Sequence, residues 1–291
     1  MTISSDIRKR LLYAKYLVSR ARTAQNERSD LGVAISLLLM HDAAEMLMLA
    51  AVDHLQIAMP KKWDFMDFWA EIKKSHAEPP QRIAMEQMNK MRVALKHNGT
   101  LPHSQTVRDF LPRLDVFFEE ITKNYFDGVN FTELSLADLI DNESVRSMLH
   151  QAEQAFASGD KQEAFVKLKL GFDTLMRQLP REVPLIKEPP STGQLPHGVR
   201  PLVAPYHQLL SQVVHTINLL SLGIDPIKSR FFGSIMPAVS WSYSGVPQVQ
   251  LRHTYDDISK DVFETCFDYV VEVSLKINEV FKASTLASAR K

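Results

Sequence analysis

An all-α fold is predicted by three features of the chain. It has only 10 glycines in 291 residues. Its apolar residues recur at three- and four-residue spacing, and period-two alternation is almost confined to one short stretch. The hydrophobic fraction of 45% and charged fraction of 23% are those of an ordinary globular protein. The length suits one large or two ordinary domains.

The elements follow in order. A first helix is expected over Ser4–Arg22, with Ile7, Leu11, Ala14, Val18 and Ala21 on one stripe and Arg8, Lys15 and Arg22 on a separate basic stripe. A second runs about Ser29–Gln56, capped by Ser29 or Asp30 and stopped before Pro60. Its apolar face, Leu37, Leu38, Met48, Leu49, Val52 and Leu55, has His41 and Glu45 at its centre. A short helix near Trp63–Ser75 ends at Pro79-Pro80. A fourth, Gln81–His97, carries Met85, Met88, Leu95 and Arg92 on one face, and Gly99 is placed to end it. A fifth, Ser104–Lys123, completes a first unit over residues 1–127.

Residues 128–142 read as a connector. The second unit, 143–291, is mainly helical. It opens with a helical hairpin over 143–179 turning at Gly159-Asp160, a lone pair rather than a repeat array. Prolines crowd residues 180–204, which predicts a linker. A helix is expected over 205–222. Ala238–Arg252 alternates around Ser244-Gly245, which predicts a small β-hairpin. Thr254 with Asp257 has capping-box spacing and places the last helix over about 255–282. A mobile tail is expected from Ala283 onward.

Several function classes are excluded by composition and motif. Net charge is zero, so nucleic-acid binding must be local rather than driven by a global field. One cysteine, Cys266, rules out an internal disulfide and fits a cytoplasmic location. The first residues lack the pattern of a signal peptide. The apolar stretch at 35–52 is broken by His41, Asp42 and Glu45, so no membrane association is expected. No Walker loop, dinucleotide turn, GxSxG or HExxH occurs. No cofactor and no metal site are expected, because histidines such as His150, His215 and His253 show no metal-binding spacing.

The informative string is Arg92-Val-Ala-Leu-Lys-His97, followed by Asn98-Gly99. Arginine can hold a phosphate, and histidine can move a proton near neutral pH. RNA supplies its own nucleophile, the 2′-OH. The pair is therefore sufficient in kind for cleavage to a 2′,3′-cyclic phosphate without a metal. Arg200 and His207 have a similar spacing but lie across Pro201 and Pro205, so they are not expected to share one helix, and the pair is set aside. Glu45 is expected to pair with Arg92 if their apolar faces meet, fixing the guanidinium. Lys96, Asn98, Arg8, Lys15 and Arg22 are candidate phosphate contacts. His41 is read first as a hydrogen-bonded core histidine, His103 as a surface residue, and Trp63 and Trp69 as core.

Residues 1–125 resemble a HEPN domain through the helices holding "SLLLMHDAAEMLMLAAVDHL" and the segment "MNKMRVALKHNGTLP". The resemblance implies an all-α, dimeric, metal-independent ribonuclease, of the kind found in toxin–antitoxin and antiphage systems. Arg92 and His97 from two protomers would line a shared cleft, and Glu45 would match the polar residue that some members carry on an adjacent helix. Val93 departs from the asparagine common after the motif arginine. The implied partners are RNA, a second copy of the chain, and an antitoxin or defence-system protein. A second reading stays open: a catalytically silent helical module that binds a protein or a nucleotide.

Overall fold

The computed structural model describes residues 3–179, 185–186, 199–242 and 244–288. Among these residues are ten α-helices and a single two-stranded sheet. The all-α class with one small hairpin is therefore the observed architecture. The chain divides into two compact units, Met1–Leu136 and Ala137–Lys291.

In the first unit, α1 (Ser5–Asn26) and α2 (Asp30–His54) form an antiparallel pair joined by a very short turn. Ser29 caps α2 by accepting from the Gly32 amide at 2.9 Å, which satisfies a donor with no intrahelical partner. The turn is tight enough that a Cβ on Gly32 would lie 2.5 Å from the Ala24 carbonyl oxygen. α2 is long and apolar enough to cross a membrane by length and composition, and it is mostly buried inside the bundle. Its burial extends beyond the single stripe expected: Ala34, Leu37, Met40, Ala44, Leu47, Ala51 and others are all inside. Each large apolar side chain so buried contributes about 1.5–3 kcal/mol.

Around α2 lie α3 (Asp67–Lys73), α4 (Arg82–Asn98) and α5 (Ser104–Tyr125). An aromatic cluster of Phe65, Phe68, Trp69, Phe117 and Phe118 joins α3 and the loop before it to α5. Trp69 donates its indole N–H to the Pro79 carbonyl at 2.9 Å, and Tyr125 donates its hydroxyl to that of Ala77 at 2.6 Å. These two bonds fasten the loop that leads into α4, whose entry residue Gln81 sits in the left-handed region at φ 52°. At the other end Gly99, at φ 66°, stops α4 with its amide on the Leu95 carbonyl. Thr100 reaches the carbonyl of Ala94. That left-handed exit favours glycine.

The expected connector is packed rather than free over its first half. Phe131, Leu134 and Leu136 are buried. Lys15 donates to the carbonyls of Phe131, Thr132 and Leu134, and Glu119 accepts from the amides of Phe131 and Thr132. The first unit therefore extends to Leu136 rather than ending near 127.

A 3-10 turn over Leu136–Leu139 spans the boundary, and the second unit continues with α6 (Glu143–Ala157) and α7 (Lys161–Arg177). This is the predicted hairpin, turning at Gly159 (φ 88°) and capped by Asp160 on the Glu163 amide. α8 (Arg200–Ser221) begins before Pro205, so residues 200–204 are helical rather than linker. Arg200 and His207 therefore share one helix, contrary to expectation, because Pro201 sits in its first turn, where no intrahelical donor is lost. The rest of the expected linker lies almost entirely outside the described residues. α9 (Pro226–Ile235) was not foreseen; Asp225 caps it and Pro226 opens it. β1 (Ala238–Trp241) pairs antiparallel with β2 (Pro247–Gln250), as the alternation predicts. α10 (Lys260–Ser288) starts later than expected, with Ser259 rather than Thr254 accepting from the first-turn amide of Val262. It is helical well into the segment expected to be a mobile tail. Stacking of Phe165 on Tyr255 and of Phe156 on Phe263 marks the unit's core.

Candidate functional site

The site is a half-open cleft of about 410 Å³ in the first unit, lined by His41 and Glu45 of α2, Trp63, Asp64 and Phe65 of the following loop, and Asn89, Arg92 and Val93 of α4. α2 and α4 each offer one polar strip, and the aromatic loop closes one side. Phe65 packs against the His41 ring at 4.5 Å between centroids.

His41 is 1% exposed. Its Nε2 donates to Asn89 Oδ1 at 2.9 Å. The other ring nitrogen, Nδ1, is buried without a hydrogen-bond partner. It lies 3.8 Å from Glu45 Oε2 and 3.8 Å from Asp42 Oδ1, beyond hydrogen-bond reach of either. The His41 imidazole is the largest cause holding the Asp42 carboxyl below its ordinary range. The charges of Lys96 and Arg92 add to it, against an opposing push from partial burial.

Arg92 lines the cleft, as expected from its place on the α4 face. The expected Glu45–Arg92 ion pair is not formed: among the described residues no carboxylate lies within salt-bridge distance of its guanidinium. Its Nε is buried with no hydrogen-bond partner. Glu45 turns to His41 instead, because an i,i+4 neighbour on its own helix is nearer than a residue on the facing one.

His97 is exposed in the last turn of α4 and does not line the cleft. On an ideal helix five residues turn the side-chain direction by about 140°. Lys96 and Asn98 are exposed beside it. The basic stripe of α1 is largely engaged within the fold. Lys15 is spent on backbone carbonyls, and Arg22 pairs with Asp115. Arg8 is exposed and has an interaction of its own. Trp69 is fully buried as expected, whereas Trp63 is 38% exposed and lines the cleft.

Asn89, Asp64 and Phe65 were not singled out from the sequence. Asn89 lies three residues before Arg92, on the adjacent turn of the same helix, and this spacing was the available signal. Compared with protein-family models, with curated proteins and with solved structures, the chain gives no match.

Proposed function

We propose that the first unit is a metal-independent endoribonuclease of HEPN type, acting as a homodimer in the cytoplasm. In this reading Arg92 binds the scissile phosphate and His97 transfers the proton between the 2′-OH and the leaving 5′-oxygen. Glu45 completes the polar lining of the cleft.

One observation carries the reading. Arg92 is a cation in an open cleft with a buried donor and no ion-pair partner among the described residues. A fold that leaves such a donor unsatisfied incurs a cost of about 1–3 kcal/mol, which an anionic ligand would recover. His97 is exposed and does not line the cleft of its own protomer; in this reading a second copy brings its histidine to the phosphate. A two-fold arrangement does this for both sites at once. A toxin or phage-defence role, with an antitoxin or other protein restraining the dimer, is part of the proposal.

The test is cleavage of RNA in excess EDTA. The expected result is a product ending in a 2′,3′-cyclic phosphate, abolished by His97→Ala with the melting temperature unchanged. Intact RNA under these conditions, or cleavage that survives His97→Ala, overturns the assignment. The second reading, a silent binding module, draws on the absence of His97 from a cleft that His41, Asn89 and Trp63 do line. It predicts ligand binding sensitive to Arg92→Met and indifferent to His97→Ala.

A further inference from the structure

We propose that His41, Asp42 and Glu45 form a binding site for a divalent first-row transition-metal ion. The inference is independent of the RNA-cleaving reading and concerns the opposite charge preference within the same part of the bundle.

The donor atoms are already gathered. One ring nitrogen of His41 and one carboxylate oxygen each from Asp42 and Glu45 lie within 4.8 Å of one another. The two nitrogen-to-oxygen separations are both 3.8 Å. A tetrahedron with arms of about 2.1 Å has edges of about 3.4 Å. Small side-chain rotations of Asp42 and Glu45 close that gap. Both carboxylates have room to make them, with side-chain exposures of 52% and 29%.

Acidic side chains on a helix surface are common and need no ion. His41 provides the independent reason to infer one. Its Nε2 carries the proton donated to Asn89, so in the neutral ring Nδ1 holds a lone pair. That nitrogen is buried, has no hydrogen-bond partner, and has a carboxylate oxygen of Asp42 and one of Glu45 each 3.8 Å away. A metal cation at their centre would satisfy all three. Asn89 then has the role of an outer-shell partner that fixes the tautomer and aims the ligating nitrogen.

The donor set selects the metal class. An imidazole nitrogen with two carboxylates suits zinc, manganese or their first-row neighbours, whereas calcium and magnesium take oxygen ligands. His150 in the second unit provides a contrast. Its Nε2 is hydrogen-bonded to Asp138 at 2.9 Å, its Nδ1 lies 3.5 Å from Glu153, and neither ring nitrogen is buried without a partner. Arg92 and Lys96 oppose a cation at Asp42, since both act on that carboxylate. Removing the Arg92 charge should therefore tighten metal binding.

The experiment is calorimetric titration of EDTA-stripped, buffer-exchanged full-length chain with Zn²⁺, repeated with Co²⁺ and read by visible absorption. One saturable site is expected, with no competition from millimolar Mg²⁺. Glu45→Gln and Asp42→Asn should each weaken it at least tenfold without lowering the melting temperature of the metal-free protein. Arg92→Met should strengthen it several-fold. No saturable binding, or binding unmoved by both carboxylate variants, overturns the proposal. Neither result depends on RNA cleavage, which is measured in EDTA, so the two readings fail separately.

Discussion

His41 of α2 and Asn89 of α4 are joined by a hydrogen bond of 2.9 Å, and this bond sets the chemical state of the cleft. It places a proton on Nε2, which donates to the Asn89 side-chain oxygen, and ties the apolar central helix to the helix that carries Arg92.

Replacing Asn89 by alanine leaves a buried imidazole N–H without its acceptor. The expected loss is about 1–3 kcal/mol, the penalty of an unsatisfied buried donor. Urea unfolding of Asn89→Ala against the parent checks it. An unchanged midpoint would mean that water replaces the amide oxygen without cost.

Arg92→Met should leave stability within about 1 kcal/mol of the parent, since no ion pair is broken and the aliphatic stem is largely retained. A buried Glu45–Arg92 pair would instead have made the substitution cost about 3–5 kcal/mol. Chemical denaturation separates these outcomes. On the proposed ribonuclease reading, the same variant should also lose RNA cleavage.

Gly32→Ala places a methyl group 2.5 Å from the Ala24 carbonyl oxygen, a backbone atom that cannot move alone. The α1–α2 turn must open, at a cost of about 1–3 kcal/mol. Thermal unfolding should show a lower midpoint. Gly171→Ala offers a comparison, because there the nearest atom is the flexible Leu149 side chain at 2.8 Å.

Tyr125 supplies a pH dependence. Burial, with the charge of Glu78 adding, pushes its phenol pKa up from an ordinary 10.0 to about 12. The folded value lies above the unfolded one, so the fold favours the neutral phenol. That contribution is complete below pH 10 and is lost as pH rises through about 12. Stability at pH 9–12 should fall less steeply in Tyr125→Phe than in the parent. At neutral pH the variant should be weaker by about 0.5–1.5 kcal/mol, for the lost bond to Ala77.

Much of this molecule was legible from spacing alone. The α1 stripe, the Ser29 cap, the Gly99 stop, the α6–α7 hairpin and the β1–β2 hairpin all depend on local rules that few neighbours can override. The Glu45–Arg92 pairing was misjudged because a helical wheel gives a direction for each residue and no rotamer. Both side chains do reach one cleft, yet Glu45 settles beside His41 on its own helix. Trp63 was assigned to the core on composition, whereas its exposure depends on the path of a loop that has no periodicity. The start of α10 shows the same limit. Thr254 and Asp257 have the spacing of a cap, but Tyr255 is buried beside Phe165 and donates to the Ile235 carbonyl, which holds the chain out of helix until Ser259.

The half-exposed Trp63 ring gives the cleft an optical readout. Of the three tryptophans, Trp69 is sealed in the first unit's core, and Trp241, in the second unit, has a buried indole nitrogen. Emission that solutes such as iodide can quench should therefore come mainly from the cleft wall. Occupancy by nucleotide, metal or a second protomer can be followed as protection of that emission in unlabelled protein, with Trp63→Phe as the blank.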